Sequence, residues 1–378
     1  MKSYVIISGF NIHDNNRGTA ALSYGSVSFL AEHQNLKKDD IIMVPHAVKK
    51  CWKYKDIQDI VECKNGTFTI THFHYFFLEA KLLMMFGVVL PFTRFGKMMR
   101  NLKYVAAING GDGFSDIYGT SSFRGRLKET LFAIKLGKEV VQLPQTIGPF
   151  TDSANYNLAK DILRYSSKVY IRDDCFTDEL GNMEVEYSLV NDLSAFMMPQ
   201  PFDIEIEKNA IGLNISGLTY SNKFGDLSGQ FDHYPALCYK IIEYFQNIDK
   251  PVYLISHTYN YTNPISNQDD MVSTREFYSR LKNKESVYLI DRDLTSPQTK
   301  YVISQMSFFI GTRMHANFAA IFTKVPVFGL AYSYKFEGAF NRNGIYGQTA
   351  MINNISIEDI GDIVKKISTT YERSIVKN

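Results

Sequence analysis

The chain has 378 residues, of which 45% are hydrophobic and 21% charged, and its formal net charge at neutral pH is +2. Because a single hydrophobic core stops growing near about 250 residues, this length favours two domains. So small a charge surplus argues against a nucleic-acid-binding protein, which usually carries a strongly basic surface. The first apolar run, Tyr4–Ser8, is too short for a signal peptide, which predicts a cytoplasmic protein.

Short apolar strands alternate with helical stretches through the first half of the sequence. Strands are predicted at residues 4–8, 41–44, 104–108, 139–143 and 168–171, and a helix from about residue 19 to residue 33. This alternation is typical of a mostly parallel sheet with helices on both faces.

A proline-marked, non-helical stretch at residues 197–208 interrupts this pattern and is the predicted domain linker. The alternation then restarts, with strands at 210–214, 251–256, 286–290, 308–310 and 326–330, and helices at 234–247, 296–306, 316–322 and 357–370. We therefore expect an α/β protein in which two Rossmann-like domains, 1–198 and 199–378, face each other across a cleft. Ligands of such sheets bind outside the carboxyl ends of the strands.

Residues 73–92 are strongly apolar, broken only by His74, Glu79 and Lys81, and basic residues interleaved with apolar ones follow up to residue 100. Glu79 and Lys81 argue against a helix that spans a membrane. One interpretation is a buried helical hairpin. The other is an interfacial patch, residues 73–100, whose apolar side chains enter a bilayer surface while its basic residues meet anionic head groups. The protein would then lie peripherally at the inner face of the plasma membrane.

The sequence GTRMHA at residues 311–316 follows a predicted strand and opens a predicted helix. The start of a helix offers unpaired backbone N–H groups and suits a phosphate or a carboxylate. Arg313 adds a planar fork for bidentate anion binding, and His315 can act as an acid or a base near neutral pH. The structural alternative is an ion pair for Arg313 and a helix-capping role for His315.

Other candidate residues also stand where predicted strands end. Gly110 and Gly111 allow a ligand to approach the backbone, and Asp112 beside them is a candidate base. Gln145 can hydrogen-bond a sugar hydroxyl or a carboxylate. A merely structural turn explains either segment equally well.

The remaining candidates are single charged residues or histidines at strand ends. Arg172 either pairs with Asp173 or Asp174 or faces the cleft. His257 is a second candidate acid or base, although a lone histidine at a strand end is more often structural. The other two are Asp192 and Lys335.

Taken in this order, the motifs resemble those of the polysaccharide pyruvyl transferase family. The matching elements are Gly110, Gly111, the QTIGP segment at 145–149, Arg172, Asp173, Asp192, the GTRMH loop at 311–315, Tyr332 and Lys335. The resemblance spans about residues 9–340, and the Arg-Met-His loop is its most specific part. Two departures are the loop at 11–19, where family members usually carry a Gly-Asn-x-Gly-Asp segment, and Asp112, which replaces a common third glycine.

The resemblance implies a GT-B-like fold and phosphoenolpyruvate as the co-substrate. The acceptor would be a sugar of a capsule or exopolysaccharide, or its polyprenyl-diphosphate-linked precursor. The product would be a cyclic pyruvate ketal, formed with release of phosphate and without a metal or another cofactor. We expect the N-terminal domain to bind the acceptor and the C-terminal domain to bind phosphoenolpyruvate.

This chemistry gives each candidate residue an expected role. Arg313, Arg172 and Lys335 would bind the two anionic groups of phosphoenolpyruvate. His315 would protonate its methylene carbon, and Asp112 or His257 would take the proton of the attacking hydroxyl. Further substrate contacts are predicted for Gln145, Asp192, Tyr332, Gly110, Gly111 and Arg17.

Two other functions remain open at this point. A nucleotide-sugar glycosyltransferase of the same fold would use Arg313 and Lys335 to bind a diphosphate. A non-catalytic glycan-binding protein would tolerate the loss of His315. The sequence contains no HExxH, P-loop or GxSxG motif, and His72 and His74 at i, i+2 spacing have no evident third metal ligand.

Overall fold

The computed structural model describes residues 3–264, 268–333 and 335–376. The chain divides into two units, and the division does not follow chain order. The first unit comprises Met1–Ile12 and Ala21–Met198, and the second comprises His13–Ala20 and Pro199–Asn378.

The first unit contains an eight-stranded sheet in the order β3-β4-β2-β1-β5-β6-β7-β8. Neighbouring strands are parallel, apart from the antiparallel pair of β3 and β4. The strands are β1 (Tyr4–Ser8), β2 (Ile41–Val48), β3 (Ile57–Cys63), β4 (Gly66–Phe76), β5 (Leu102–Ala107), β6 (Glu139–Gln145), β7 (Lys168–Ile171) and β8 (Ser188–Leu189).

Helices cover both faces of this sheet. Because successive strand residues point to opposite faces, Val5 and Ile7 join one apolar core and Ile6 joins another. Burial on both sides explains why these strands read as continuous apolar runs. The helices are α1 (Arg17–His33), α2 (Phe77–Phe86), α3 (Arg94–Arg100), α4 (Thr120–Arg126), α5 (Lys128–Lys135), α6 (Ser153–Tyr165) and α7 (Thr177–Asn182).

The second unit contains a six-stranded parallel sheet in the order β11-β10-β9-β12-β13-β14. Its strands are β9 (Ile211–Asn214), β10 (Val252–Leu254), β11 (Val287–Leu289), β12 (Phe308–Gly311), β13 (Val327–Ala331) and β14 (Thr349–Met351). Its helices are α8 (Gly217–Ser221), α9 (Tyr234–Gln246), α10 (Asp270–Arg280), α11 (Ser296–Ser304), α12 (Met314–Phe322), α13 (Lys335–Arg342) and α14 (Ile357–Val376). The predicted pair of Rossmann-like α/β halves is thus confirmed.

The apolar region at 73–92 is not a buried helical hairpin, so that interpretation is wrong. Its first four residues end β4, α2 follows, and an irregular segment leads to α3. Phe73 and Leu83 are buried, but Met85, Phe86 and Phe92 are 68%, 66% and 74% exposed. Within the described residues, no helix is long and apolar enough to cross a membrane.

Candidate active site

In the second unit, the turn from β12 into α12 is held by two buried amide side chains. Oδ1 of Asn214 accepts the backbone N–H of Arg313 at 2.9 Å, and its Nδ2 donates to the carbonyl oxygen of Ile255 at 2.9 Å. Nδ2 of Asn317 donates to the carbonyl oxygen of Gly311 at 2.9 Å. These bonds hold the backbone of the loop in place and so set the position from which the Arg313 side chain extends.

The guanidinium group of Arg313 pairs with the fully buried carboxylate of Asp270. Nη2 lies 2.7 Å and Nε 3.1 Å from Oδ1 of Asp270. The same carboxylate accepts the backbone N–H groups of Gly217, His257 and Thr258. The structural alternative for Arg313, an ion pair, is therefore present. Within the described part of the chain no acceptor engages Nη1 of Arg313, so this nitrogen can still bind an anion.

The second unit also brings the two candidate histidines together with Arg313. The ring of His315 packs against Gly18, where an added Cβ would lie 2.6 Å from Nδ1. His257 is almost fully buried, and burial, followed by the positive charges of His315, Arg313 and Arg17, lowers its pKa well below the ordinary value. His257 is thus neutral at neutral pH, which is the form that a proton acceptor requires.

Arg17 has a structural role that opposes the predicted substrate contact. Its Nε donates to the carbonyl oxygen of Leu294 at 2.6 Å, Nη1 donates to the carbonyl oxygen of Asp14 at 3.1 Å, and Nη2 pairs with Asp293 at 3.0 Å. The guanidinium group also stacks 4.3 Å from the ring of Tyr259. With its donors engaged, Arg17 fastens the segment His13–Ala20 to the second unit.

Tyr332 and Lys335 lie at the start of α13. Tyr332 is half-buried, packs on Phe336 with ring centroids 5.4 Å apart, and interacts electrostatically with Arg313. Lys335 is exposed. Tyr332 therefore lies near Arg313, and Lys335 reaches solvent at the start of α13.

In the first unit, the glycine loop after β5 lies against Arg172. Gly110 and Gly111 have φ angles of 74° and 87°, a region that side chains rarely adopt. A Cβ on Gly111 would lie 2.7 Å from Nη1 of Arg172. That nitrogen donates to Asp192 at 2.9 Å, and Nε donates to Oγ1 of Thr146 at 3.1 Å. The structure therefore brings three predicted residues together, with Asp192 orienting Arg172.

Gln145 and Asp112 differ in how far a substrate can reach them. Gln145 is buried, its Oε1 accepts from the backbone N–H and Nδ2 of Asn109, and its Nε2 donates to the carbonyl oxygen of Ala107. These bonds oppose the predicted substrate contact and give Gln145 the role of bracing the glycine loop. Asp112 is half-buried, accepts a hydrogen bond from the hydroxyl of Tyr118 at 2.9 Å, and adds to the negative charge around Arg172.

The structure adds site residues that the sequence analysis missed. Nη1 of Arg126 donates to the carbonyl oxygen of Asn109 at 2.7 Å and lies beside Gly110, so a second cation flanks the glycine loop. Asp270 is equally new. Arg126 and Asp270 are separated along the chain from the residues that they contact. The only local signal was Asp269, the N-cap residue of the helix that contains Asp270.

Comparison with protein families gives a match to the polysaccharide pyruvyl transferase model over residues 16–334. The chain belongs to the polysaccharide pyruvyl transferase family. The matched range includes both the glycine loop with Arg172 and the Arg313–His315 loop, so the predicted resemblance is confirmed. A comparison with curated proteins finds no match.

Solved structures similar to this chain confirm the GT-B-like α/β fold. One is the UDP-GlcNAc 2-epimerase from Methanocaldococcus jannaschii, at 11% identity and a TM-score of 0.53, covering 97% of this chain and 92% of that one. Another is a putative UDP-N-acetylglucosamine 2-epimerase from Listeria monocytogenes, at 11% identity and a TM-score of 0.55, covering 98% and 88%. Identities this low concern the fold alone.

Proposed function

We propose that this pyruvyl transferase moves the enolpyruvyl group of phosphoenolpyruvate onto a sugar of a surface polysaccharide or of its lipid-linked precursor. The product is a cyclic pyruvate ketal, and phosphate is released. The observation that carries this proposal is the Arg313–His315 loop, in which a guanidinium group and an imidazole ring leave the same helix start. Family membership supports pyruvyl transfer, and the loop supports the choice of donor.

Phosphoenolpyruvate presents a carboxylate and a phosphate on three carbons, so its binding requires several nearby cations. Arg313 offers Nη1, the start of α12 offers backbone N–H groups, and Lys335 is exposed. Arg172 in the first unit is the further proposed cation. The pairing of each arginine with a buried aspartate fixes its position before the donor binds.

Ketal formation adds two hydroxyl groups to the central carbon of the donor. In the first step, a sugar oxygen bonds to that carbon while His315 delivers a proton to the methylene carbon. In the second step, the bond to phosphate breaks and a second hydroxyl closes the ring. One hydroxyl proton replaces that of His315 and the other leaves with phosphate, so the reaction balances without a redox cofactor, and we propose that it needs no metal. Asp112 or His257 is the base that the sequence analysis proposed for an attacking hydroxyl.

Phosphate release tests this reaction directly. Phosphoenolpyruvate is incubated with a panel of lipid-linked galactose, mannose and glucose acceptors, using wild-type protein and His315→Ala. We expect release that needs both substrates and that the variant loses. Unchanged release by His315→Ala would overturn the assigned acid. Stabilisation against heat by UDP-sugars and not by phosphoenolpyruvate would instead favour the nucleotide-sugar glycosyltransferase.

We also propose that residues 73–100 contact an anionic membrane surface. Large apolar side chains of α2 and the segment after it are exposed, namely Leu78, Met84, Met85, Phe86, Val88 and Phe92. In α3, Phe95, Met98 and Met99 are buried while Arg94, Lys97 and Arg100 are exposed. Apolar and basic groups side by side suit the boundary between lipid chains and head groups. This surface would bring a polyprenyl-linked acceptor to the enzyme.

A further inference from the structure

A chain of three titratable side chains crosses strands β2, β4 and β3 of the first unit. Nε2 of His46 lies 3.0 Å from Nδ1 of His72, and Nε2 of His72 lies 2.9 Å from Oδ2 of Asp59. Asp59 is buried and His72 is 15% exposed. The site described above uses none of these residues.

The register of the sheet explains why these groups meet. Val44 in β2 is opposite His72 in β4, and two residues later His46 is opposite His74, so the two strands send these side chains to one face. Asp59 is opposite Ile70, which lies two residues before His72 on that same face. This face carries the apolar core that includes Val44 and Ile70. Asp59, His72 and His46 therefore continue this face beyond the apolar core, near the carboxyl ends of β2 and β4.

When both histidines are neutral and Asp59 is ionised, these two hydrogen bonds allow one arrangement of protons. A carboxylate only accepts, so His72 donates from Nε2 to Asp59 and keeps a lone pair on Nδ1. His46 then donates from Nε2 to that lone pair, which leaves the lone pair of its own Nδ1 as a proton acceptor. Within the described residues no group donates to this Nδ1.

The surroundings keep His46 neutral until it receives a proton. The pKa of His46 is lowered, and burial is the largest cause. The electrostatic influence of His72 and His74 from β4 and of Lys128 from α5 lowers it further. The ring of His74 is 5.3 Å from that of His46 and stacks on Tyr54 at 4.4 Å. Asp59 is the negative charge linked to His46, and it acts through His72.

A metal site does not fit these residues. Two nitrogen ligands of one zinc ion stand roughly 3.3 Å or more apart, because each is about 2.0–2.1 Å from the metal in tetrahedral geometry. The 3.0 Å between His46 and His72 is instead the length of a hydrogen bond. Across the described ranges of the chain, no group of three or more histidine, cysteine or acidic residues is arranged to hold a metal.

His46, the end of this hydrogen-bonded series that keeps an acceptor nitrogen, lies at the same height in the sheet as the start of the glycine loop. Ile6 of β1 is opposite Met43 of β2, and Ser8 is opposite Ala107 of β5. His46, three residues beyond Met43, is therefore level with Ile108, two residues before Gly110. Two strand spacings separate β2 from β5, which is about 10 Å. An acceptor sugar lying across these strand ends reaches both.

We propose that Asp59, His72 and His46 form a proton relay that accepts the proton of the first attacking sugar hydroxyl at Nδ1 of His46. The proposal rests on the proposed function and specifies its acceptor side. As the new carbon–oxygen bond forms, the O–H bond breaks and its electron pair stays on oxygen. The positive charge on His46 is shared through His72 with Asp59, the logic of a histidine held by a carboxylate. Asp112 or His257 remains for the second hydroxyl, whose proton leaves with phosphate.

Kinetics of His46→Gln and Asp59→Asn test the relay, with His233→Gln as the matched control in the second unit. We expect His46→Gln to lower kcat about 100-fold or more, since positioned proton transfer contributes at least that factor, and to leave the KM for phosphoenolpyruvate unchanged. Asp59→Asn removes a negative charge, so the acid limb of its pH profile moves to lower pH. A kcat of His46→Gln within twofold of the control, or an acid limb that stays in place, would overturn the relay.

A second readout needs no activity. Nitrogen-15 NMR of the histidine side chains reports which ring nitrogen carries the proton. We expect protons on Nε2 of both His46 and His72, and a loss of this pattern at His72 in Asp59→Asn. A proton on Nδ1 of His46 would overturn the relay even in an active enzyme. The expected tautomers in a protein that never releases phosphate would overturn the proposed function and with it the relay's role.

Discussion

Asp270 and Arg313 form a buried ion pair at the start of α12, with 2.7 Å between Oδ1 and Nη2. The aspartate also accepts three backbone N–H groups from two loops, so one carboxylate holds both the arginine and its surroundings. Arg313, the proposed donor-binding side chain, is thus positioned by a residue of α10.

We predict that Asp270→Asn weakens both stability and donor binding. Breaking a buried pair by removing one partner costs about 3–5 kcal/mol, because the other charge stays buried. Urea denaturation and the KM for phosphoenolpyruvate measure the two effects. Asp291→Asn is the control, since its pair with Arg275 is 39% and 36% exposed and such pairs contribute about 1 kcal/mol or less. Equal denaturation midpoints for the two variants would contradict the prediction.

Arg172→Lys should keep the positive charge at the glycine loop but lose the hydrogen-bond geometry of the guanidinium group. A lysine ammonium cannot donate to Asp192 and Thr146 and still offer a planar fork to a substrate anion. We expect a rise of about tenfold or more in KM for phosphoenolpyruvate, with little change in the thermal unfolding temperature. Arg164→Lys, in the exposed pair with Glu184, is the matched control and should behave as wild type.

Gly18→Ala should reduce activity without changing any charge. Its Cβ would lie 2.6 Å from the ring of His315, so the ring must move from its position at the start of α12. Gly361→Ala in α14 is a suitable control, because a Cβ there meets nothing within 4 Å. Its higher helix propensity predicts a stability gain of up to about 1 kcal/mol. Full pyruvyl transfer by Gly18→Ala would show that the position of His315 is not limiting.

Stability should fall as the pH drops below the ordinary pKa of histidine, 6.5, because the pKa of His257 is lowered in the folded protein. Between its folded pKa and 6.5, the unfolded state binds a proton at residue 257 that the folded state does not. This difference lowers the unfolding free energy by up to about 1.4 kcal/mol per pH unit. Urea denaturation of wild type and His257→Asn from neutral to mildly acidic pH measures it. The variant should show a shallower decline, and parallel curves would refute the assignment.

Polar substitution of the exposed side chains in residues 73–100 should weaken membrane binding. The variant carries serine at Met85, Phe86 and Phe92, and flotation with anionic vesicles measures binding. The substitutions remove three exposed apolar side chains, whose surface would be transferred from water into the bilayer on binding. Tyr346→Ser, at a position 72% exposed in the second unit, is the control. If wild-type protein does not float with anionic vesicles, the proposed contact is wrong.

Much of the fold could be predicted because buried parallel strands leave a strong local signal. β1 and β7 have the predicted bounds, and α1 begins two residues before the predicted start, at Arg17. The hairpin of β3 and β4 was missed, although its signals were present. Residues 67–71 alternate polar and apolar side chains, and Asn65-Gly66, at the end of the turn between the two strands, is a dipeptide that favours hairpin turns.

The site could be predicted most completely where residues follow one another along the chain. The Arg313–His315 loop and the glycine loop are contiguous motifs, and the structure places both at strand ends. Asp270 and Arg126 reach their partners through tertiary packing, which a single sequence does not encode locally. Arg17 and Gln145 show the converse, because their polar side chains read as ligand contacts but are consumed by hydrogen bonds within the protein.

Since His13–Ala20 belongs to the second unit, the two halves of this protein are not interchangeable modules cut at Pro199. A fragment that starts there would lack the guanidinium group that stacks on Tyr259 and the glycine that packs on His315. A chimaera made by exchanging C-terminal halves between relatives would join a foreign copy of this segment to the Arg313–His315 loop. Such exchanges should succeed only when the short N-terminal segment travels with the half it completes.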